Sequence, residues 1–441
     1  MFILTDQWRG SALGCDSDAV VRTPHIDQLA TEGVQFRRAY AANPVCTPNR
    51  SCLLTGRYSH QTGMITNNLM LPPDEVCWPQ LLSDAGYRTH YIGKWHMDGT
   101  AKPGFVPPGW RRRGFQTFEG FNRGHIYHRP WGFADDGSGL VPADVADAPD
   151  YYEPTFQTDL AMRFMQQKSD QPFACCLSLG PPHTPFRPPA DFDRYTPQDM
   201  QLRPNVPSQH EAKARRDLAG YYGLCESLDH EVGRLMKFLK DENRERDTLV
   251  VFTSDHGELA GSHGKYRKGE PEEESLRVPL IMKLPTTISA GFQTDRLINS
   301  IDLMPTLLTL CGVQPPRTCA GIDRSALLDT ATPDEKQPES SEVIYTEGKV
   351  NFKAEMRDGN PTGAWRCLVT ERFKLVLRGG PRQVAQFHDL QEDPFETNNL
   401  AADNKHAATR AELTDRLIAI RDQTSDSWPN VPAAAASMYP R

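Results

Sequence analysis

Two short pairs of polar residues could together hold a divalent cation. Asp6-Gln7 follows the apolar run FILT, and Asp255-His256 follows the β-branched run TLVVFTS. Hard divalent cations prefer carboxylate and amide oxygens, and such a site tolerates one imidazole nitrogen. An aspartate after a strand is more often a turn or helix-capping residue, so each pair alone is weak evidence. The two pairs together are compatible with one metal site.

Basic side chains that could bind an oxyanion or move protons lie in three other segments. Lys94 and His96 are two residues apart in GKWH, so an extended backbone would point both side chains to one face. His183 lies in PPHTP, where the prolines restrict the backbone. In HGKYRKGEPEEES, either Lys265 or Lys268 could point towards an anion. A plain strand end, a hydrogen-bonded loop histidine and a solvated charged surface remain the ordinary alternatives.

The stretch CTPNRSCLLTG places Cys46, Pro48 and Arg50 at fixed spacing before an apolar run. On this evidence alone the first cysteine could be a core residue, a metal ligand, a disulfide partner or a nucleophile. The ten cysteines of the chain form no CxxC pair, which argues against a zinc knuckle and a dense disulfide framework. Cys52 lies in the apolar run and is predicted to be buried.

The elements that must position these groups alternate along the chain. Predicted strands are FILT, YRTHYIG, PFACCLSL and TLVVFTS, and predicted helices include HIDQLATEG, WPQLLSDAG, TDLAMRFMQQKSD and a long segment over 217–243. This alternation predicts an α/β fold with a mostly parallel sheet between helices. The polar groups come just past strand ends, where open α/β sheets build their sites.

A chain of 441 residues is expected to form one large domain and a smaller one. A helix predicted in LINSIDLMPTLLTLCGV is followed by DTATPDEKQPESSE, which has the composition of a linker. Beyond it, WRCLVTERFKLVLRGG contains two strand-like runs and AELTDRLIAIRDQ is an amphipathic helix. We predict a catalytic α/β domain over residues 1–345 and a smaller α+β subdomain, with an antiparallel sheet and a helix, over 346–441.

Bulk composition limits the partners and the location of the protein. A formal net charge of −8 argues against a nucleic-acid partner. The chain contains no run of about 18 apolar residues, so we expect no membrane span. The first residues carry no secretory signal, which indicates a cytoplasmic protein as the sequence stands. Only five residues precede Asp6, however, and a periplasmic or secreted protein is expected if an upstream segment is missing.

The chain as a whole resembles a known family. C-T-P-N-R followed by L-T-G is similar to the C-x-P-x-R signature of the type I sulfatases. TDQ, GKWH, PPHTP, SDHGE, HGKYRKGEPEEESLRVPLI and DLQEDPFETNNL resemble other segments of that family and occur in its order. The resemblance covers essentially the whole chain. It implies the alkaline-phosphatase-like α/β fold with a smaller C-terminal subdomain, and hydrolysis of sulfate esters.

The resemblance also implies what Cys46 becomes. A formylglycine-generating enzyme would read Pro48 and Arg50 and oxidise Cys46 to formylglycine, whose hydrated aldehyde is the nucleophile. Arg50 would afterwards help to hold the modified side chain. Asn49 stands where many relatives have serine, a position that the signature leaves variable.

The remaining family positions map onto residues of this sequence. The metal ligands implied by the resemblance are Asp6, Gln7, Asp255, His256 and the modified Cys46. Calcium is the expected cation, and manganese is conceivable because Gln7 and His256 replace the second Asp and the Asn of many relatives. The anion-binding and proton-transfer residues implied are Lys94, His96, His183 and Lys268. His183 would be the general acid, and His96 would assist the release of sulfate.

Three functions remain open at this stage. The first is hydrolysis of a sulfate ester on a carbohydrate. The arginine-, histidine- and aromatic-rich segment 109–133 could stack on sugar rings, or could be a packed rim loop. The second is hydrolysis of phosphonate monoesters or phosphodiesters, a chemistry found in relatives with Gln and His at the metal. The third is a catalytically silent anion-binding protein in which Cys46 stays a thiol.

Overall fold

The computed structural model describes residues 1–16, 18–129, 131–140, 151–328, 343–348, 363–428 and 430. Within these ranges the strands, in chain order, are β1 Phe2–Asp6, β2 Val34–Phe36, β3 Ala39–Tyr40, β4 Arg88–Lys94, β5 Thr117–Phe121, β6 Phe173–Pro182, β7 Val250–Ser254, β8 Arg277–Val278, β9 Leu280–Lys283, β10 Phe292–Thr294, β11 Ile298–Asn299, β12 Ile344–Gly348, β13 Trp365–Val369, β14 Phe373–Arg378 and β15 Val384–Asp389. The helices are α1 Pro24–Thr31, α2 Cys46–Thr55, α3 Ser59–Thr62, α4 Trp78–Asp84, α5 Glu153–Gln166, α6 Glu211–Asp241, α7 Glu273–Leu276, α8 Leu303–Leu310 and α9 Ala407–Gln423.

The main sheet has eight strands in the order β10-β2-β9-β7-β1-β6-β4-β5. Its central pairs, β7 with β1, β1 with β6 and β6 with β4, are all parallel. Strand β9 alone runs antiparallel to both of its neighbours. The predicted mostly parallel sheet is therefore confirmed, and the carboxyl ends of its four central strands meet at one edge.

Helices cover both faces of this sheet, as the sequence pattern predicted. Side chains alternate along β1, so Phe2 and Leu4 pack into one core with residues of α2, α4 and α8. Ile3 packs into the opposite core with residues of α1, α5 and α6. Strand β1 is buried along its whole length, which explains why FILT is a continuous apolar run rather than an alternating one.

A separate four-stranded antiparallel sheet follows the main sheet in the chain. Its order is β12-β13-β14-β15, and α9 packs on β13 and β14 through Leu413 and Leu417. These elements confirm the predicted α+β subdomain. The proposed boundary between residues 345 and 346 falls inside β12 and stays a prediction, and the linker predicted in DTATPDEKQPESSE lies outside the described residues.

Two details of the sequence-based prediction were wrong. The helix expected over LINSIDLMPTLLTLCGV begins only at Leu303, because Ile298–Asn299 pairs with β3 and Asn299 starts the next turn through its side chain. The extended segment expected through His96 ends at Lys94, since His96 has a φ of 61°. Among the described residues, no helix is both long and apolar enough to cross a membrane.

Gly93 controls how β4 delivers Lys94 to the edge of the sheet. Its φ is 96°, in the left-handed region, and a Cβ at this position would overlap the carbonyl oxygen of Ser178 on β6. Only glycine avoids both the backbone strain and the steric clash. The close contact between β4 and β6 therefore requires this residue.

We predict that Gly93→Ala lowers the free energy of unfolding by about 3 kcal/mol, because backbone strain and overlap with Ser178 add together. Gly86 is a matched control: its φ is 91°, yet no atom lies within 4 Å of a Cβ built there. Gly86→Ala is expected to cost about 1 kcal/mol, the conformational strain alone. Urea unfolding of the two variants measures the difference, and equal losses would contradict the steric explanation.

Candidate active site

Four neighbouring strands end in the polar residues that the sequence singled out. Asp6 is the last residue of β1 and Lys94 the last of β4, while His183 follows β6 and Asp255 follows β7. Because these strands are adjacent and parallel, their carboxyl ends lie side by side. The sheet thus brings side chains from distant parts of the chain, at positions 6, 94, 183 and 255, together at one edge.

The sulfur of Cys46 lies at the centre of this group. It is 2.8 Å from Lys268 Nζ, 3.3 Å from His256 Nε2, 3.7 Å from Asp6 Oδ1 and 3.8 Å from Lys94 Nζ. Cys46 is the first residue of α2, so its side chain also lies at the positive end of the helix dipole. The sequence could not decide between a core cysteine and a reactive one, and these contacts favour the reactive one.

The surroundings of Cys46 favour a negative charge on its side chain. Burial and the carboxylate of Asp6 oppose ionisation, but Lys268, Lys94 and His256 outweigh them and lower the pKa of the thiol to about 5. Reactive cysteines are found in such electropositive settings at helix N-termini. By contrast, burial raises the pKa of Cys52 well above its ordinary value, as expected for a core thiol.

Helix α2 also carries Pro48 and Arg50, the other members of the signature. Pro48 lies in the first turn, where its missing N–H removes no helical hydrogen bond. Arg50, one turn after Cys46, points into the edge of the sheet and is fully buried. All ten residues of α2 are buried, which matches its central position.

The guanidinium of Arg50 connects all four central strands. Its Nε donates to Asp255 Oδ2 at 2.9 Å, and its Nη2 lies 3.3 Å from Asp6 Oδ2. Its Nη1 donates to the Lys94 carbonyl and to the Ser178 hydroxyl, both at 2.8 Å. The sequence comparison assigned Arg50 to holding the modified Cys46, whereas its hydrogen bonds here go to the carboxylates and to the strand ends.

Asp6, Asp255 and His256 offer one ligand atom each within 4.8 Å of one another, together with Cys46. His256 Nε2 is 3.5 Å from Asp6 Oδ1 and 3.4 Å from Asp255 Oδ1. His256 Nδ1 donates to the Gly257 carbonyl at 3.0 Å, so Nε2 is the nitrogen that faces the two carboxylates. These donors fit a divalent cation of the kind that accepts oxygen ligands and one imidazole.

Gln7, the fourth expected metal ligand, contains an unsatisfied buried oxygen. Its amide nitrogen donates to Glu258 Oε2 at 2.6 Å, which fixes the orientation of the amide and leaves Oε1 without a partner among the described residues. Its φ of 72° is in the left-handed region, and its N–H donates to Asp255 Oδ1 at 3.1 Å. A buried acceptor held without a hydrogen bond is suited to a cation.

The carboxylates of Asp6 and Asp255 have different ionisation behaviour. Burial opposes ionisation of Asp6, but Lys94, His183, Lys268 and Arg50 hold the pKa of its carboxyl well below its usual range. Burial and the charge of Asp6 raise the pKa of Asp255 despite its contact with Arg50. Asp6 is the better-stabilised anion of the pair.

Lys94 and His96 both belong to the site, although the backbone between them is not extended. The ammonium of Lys94 binds Asp6 Oδ2 directly. His96 is buried, and burial together with the charge of Lys94 holds its pKa well below the ordinary value. Its Nδ1 has no hydrogen-bond partner among the described residues, and its carbonyl accepts from Thr47 on α2 at 2.6 Å.

His183 stands at the rim of the site with a second histidine against it. The rings of His183 and His125 are stacked, with centroids 3.6 Å apart and an interplanar angle of 5°. His183 Nδ1 donates to the Thr184 carbonyl at 2.8 Å, so Nε2 is the nitrogen left for other partners. Burial and Lys268 hold the pKa of His183 well below its usual range. The sequence analysis missed His125, which only the fold brings next to His183.

The loop after β7 resolves the choice between two lysines. Lys268 reaches Cys46, whereas Lys265 forms an ion pair with Glu272 at 2.6 Å. This loop is held by the C-terminal sheet, since Trp365 Nε1 on β13 donates to the Gly269 carbonyl at 3.1 Å. The smaller subdomain therefore helps to fix Lys268.

Two further residues, Asn49 and Ser178, hold backbone groups and side chains of the site in place, and no motif in the sequence predicted this role. Asn49 Nδ2 donates to the Asp255 carbonyl at 2.6 Å, and Asn49 Oδ1 accepts from Ser300 Oγ at 2.6 Å. Ser178 donates to the Lys94 carbonyl and accepts from Arg50. Short polar side chains of this kind are common in any sequence, so only their tertiary contacts reveal them.

The arginines at the start of segment 109–133 make contacts inside the protein. Arg111 Nε binds Asp98 at 2.6 Å, and buried Arg112 binds Asp135 at 2.5 Å. Arg113 is buried as well, with its guanidinium over the ring of Trp110. For these residues the structure supports a packed rim loop rather than a sugar-stacking surface. Later in the segment, His125 stacks on His183 and Tyr127 donates to the His183 carbonyl at 2.8 Å.

The sulfatase family model matches residues 1–313, and the model described as "N-sulphoglucosamine sulphohydrolase, C-terminal" matches residues 261–423. This chain belongs to the sulfatase family. The family is metal-dependent, in agreement with the cluster of Asp6, Cys46, Asp255 and His256, and the match supports sulfuric ester hydrolase activity. The fold class inferred from the sequence, alkaline-phosphatase-like α/β, is thereby confirmed.

The sulfatase is similar to several known proteins over nearly its whole length. It is 34% identical over 430 residues to the ulvan-active sulfatase of Formosa agariphila, covering 95% of this chain and 80% of that one. It is 26% identical over 509 residues to the N-acetylglucosamine-6-O-sulfatase of Bacteroides thetaiotaomicron, covering 98% and 87% of the two chains. The solved structure of the putative sulfatase yidJ from Bacteroides fragilis has a TM-score of 0.85 at 27% identity, covering 100% of this chain and 97% of that one.

We predict that Arg50→Met lowers the free energy of unfolding by about 4 kcal/mol, because it leaves two buried carboxylates without their shared cation. Arg382→Met is the matched control, since Arg382 and its partner Asp415, paired at 2.9 Å, are both exposed. That change is expected to cost less than about 1 kcal/mol. Urea unfolding of the unmodified protein compares them, and similar losses would show that the Arg50 contacts add little.

Proposed function

We propose that this sulfatase hydrolyses a sulfate ester carried by a carbohydrate, with Cys46 as the precursor of its nucleophile. The observation that carries the proposal is the position of the Cys46 sulfur, between the ammonium of Lys268 and the cluster formed by Asp6, Asp255 and His256. The names of the ulvan-active and N-acetylglucosamine-6-O-sulfatase relatives support a sugar substrate.

In this proposal the sulfur of Cys46 stands in for the oxygens of a formylglycine made by a formylglycine-generating enzyme. The hydrated aldehyde supplies one hydroxyl to attack sulfur and a second that allows the aldehyde to re-form. The contacts of Cys46 suit such a group, because the two lysines and the start of α2 stabilise negative charge on its side chain.

The proposed metal ion is calcium, with manganese as the alternative, bound by Asp6, Gln7, Asp255, His256 and the modified Cys46. When bound, the ion would neutralise sulfate oxygens and increase the acidity of the attacking hydroxyl. The carboxylate and amide oxygens favour calcium, whereas the imidazole of His256 is a ligand that manganese also accepts. Arg50 holds both carboxylates in place from the buried side.

The remaining residues are assigned to charge and proton transfer. Lys94 and Lys268 supply the positive charge that binds the sulfate oxygens. His183, whose Nε2 is the nitrogen not committed to the backbone, donates a proton to the leaving oxygen. The negative charge of the substrate favours the protonated form of His183. His96, with a free Nδ1, accepts a proton while the aldehyde re-forms.

A second candidate function is hydrolysis of phosphonate monoesters or phosphodiesters. These substrates carry the same single negative charge as a sulfate ester, so the same lysines and metal ligands would bind them. The chemistry of the transferred group, rather than the charge of the site, therefore separates the two candidates.

The test is a comparison of kcat/KM for nitrophenyl sulfate, a nitrophenyl phosphodiester and a phenylphosphonate ester, using protein produced with the formylglycine-generating enzyme. A panel of sulfated monosaccharides and oligosaccharides is examined by chromatography in parallel. We expect the sulfate ester to be hydrolysed fastest and at least one sulfated sugar to lose sulfate. A dominant phosphonate rate would reject the sulfate ester as the substrate.

The state of Cys46 is checked in the same preparation. The tryptic peptide Ala39–Arg50 is expected to have the lower mass of the formylglycine form. A peptide that retains the thiol in every preparation would instead support a silent anion-binding protein.

We predict that His183→Ala reduces kcat for a sugar sulfate by about a hundredfold to ten-thousandfold, the usual contribution of a general acid. Hydrolysis of nitrophenyl sulfate should fall far less, because nitrophenolate leaves without being protonated. His230→Ala, an exposed histidine on α6, is the control and should leave both rates unchanged. Equal losses for both substrates in His183→Ala would contradict the general-acid role.

A further inference from the structure

A cavity of about 330 Å³ adjoins the active site, and its lining is rich in cations. We call it the arginine cavity; its charged lining residues are Arg187, Lys213, Arg216, Asp217, Glu258 and Arg267. Three of its lining residues are next to residues of the site. Thr184 follows His183 in the chain, and Arg267 precedes Lys268. Glu258 accepts a hydrogen bond from the side-chain amide of Gln7 at 2.6 Å. A molecule with its sulfate at Cys46 would therefore extend past this cavity.

The negative groups of the arginine cavity already have partners. Asp217 forms an ion pair with Lys213, whose ammonium also lies 3.7 Å from the centre of the Tyr266 ring. Glu258 is buried and accepts from the backbone N–H groups of Ala260 at 2.7 Å and Arg267 at 2.8 Å. Asp217 is therefore paired with a cation, and both oxygens of Glu258 accept hydrogen bonds.

The guanidinium groups of the cavity, in contrast, lack partners. Arg187, Arg216 and Arg267 are exposed, and within the described part of the chain none of their guanidiniums has a hydrogen bond or a carboxylate at ion-pair distance. Elsewhere on this protein arginines are commonly paired, as Arg194 is with Glu226 and Arg203 with Glu274. Unpaired arginines gathered around one cavity leave a local positive charge on a protein whose net charge is −8.

Fixed backbone presents these arginines. Arg216 projects from the long helix α6. The Arg187 carbonyl accepts from His128 Nε2 at 2.8 Å. Arg267 has a φ of 68°, and both its N–H and its carbonyl are hydrogen-bonded, to Glu258 and to the N–H of Leu259. Strained non-glycine backbone next to an active site is typical of functional positions.

We propose that the arginine cavity binds a second anionic group of the carbohydrate, either a carboxylate or a further sulfate, beside the sulfate ester that is hydrolysed. This inference rests on the proposed function and deepens it, because it makes the substrate a polyanionic sugar. The planar guanidinium donates two parallel hydrogen bonds to either group, and unpaired arginines avoid the cost of breaking an existing ion pair. The cavity thus selects for charge next to the scissile bond.

The test measures binding by calorimetry to Cys46→Ala protein, which cannot turn substrate over. The probes are maltose, sulfated maltose and digalacturonate, which offer no charge, sulfates and carboxylates. The double variant Arg187→Ala/Arg216→Ala removes two guanidiniums and leaves Arg267, the neighbour of Lys268, in place. Arg246→Ala is the matched control, an exposed arginine just before the start of β7 and so at the opposite edge of the sheet.

We expect at least one anionic probe to bind more tightly than maltose, and the double variant to weaken that binding about tenfold or more. Arg246→Ala should leave the affinity for the anionic probes unchanged. If the double variant binds only sulfated maltose more weakly, the cavity is a sulfate subsite. If it binds only digalacturonate more weakly, the cavity is a carboxylate subsite. Equal affinity of the parent and the double variant for both anions would overturn the proposal, as would the lack of any preference over maltose.

Hydrolysis of nitrophenyl sulfate by the formylglycine form of the enzyme is measured alongside. If nitrophenyl sulfate is not hydrolysed but the double variant still weakens anion binding, the proposed function is rejected and the anion-binding cavity is not. If hydrolysis occurs and the double variant binds the anions normally, only the subsite is rejected.

Discussion

The buried contact of Arg50 with Asp6 and Asp255 is the interaction on which the rest of the site depends. Two carboxylates at the ends of adjacent strands repel each other, and burial increases that repulsion. Arg50 binds the Oδ2 atom of each carboxylate and also the Lys94 carbonyl and the Ser178 hydroxyl. One cation therefore holds three strand ends together, while the Oδ1 atoms of the carboxylates face His256 and could bind a metal.

The same constraint explains why the signature lies on a buried helix. Cys46 and Arg50 are one turn apart on α2, so the residue that holds the carboxylates also sets the position of the reactive side chain above them. Lys268 approaches from a loop whose Gly269 carbonyl is bound by Trp365 of the C-terminal sheet. The smaller subdomain consequently helps to position a residue that touches Cys46.

The electrostatic pattern changes with distance from Cys46. At the centre, the cations of Lys94, Lys268 and Arg50 lie next to the carboxylates of Asp6 and Asp255. At the rim, Asp217 and Glu258 have partners, and the guanidiniums facing the arginine cavity have none in the part of the chain that the structure describes. A protein with an overall negative charge thereby keeps positive charge where an anionic sugar would enter.

The sequence by itself determined the strand and helix pattern, the polar strand ends and the Cys46 signature, because apolar periodicity and turn chemistry are local properties. It could not establish that His125 stacks on His183, that Asn49 holds the Asp255 carbonyl, or that Arg50 binds two carboxylates. It also placed His96 on an extended strand that ends at Lys94. Those features depend on contacts between residues far apart in the chain, and only the packing of the sheet against α2 and the surrounding loops decides them.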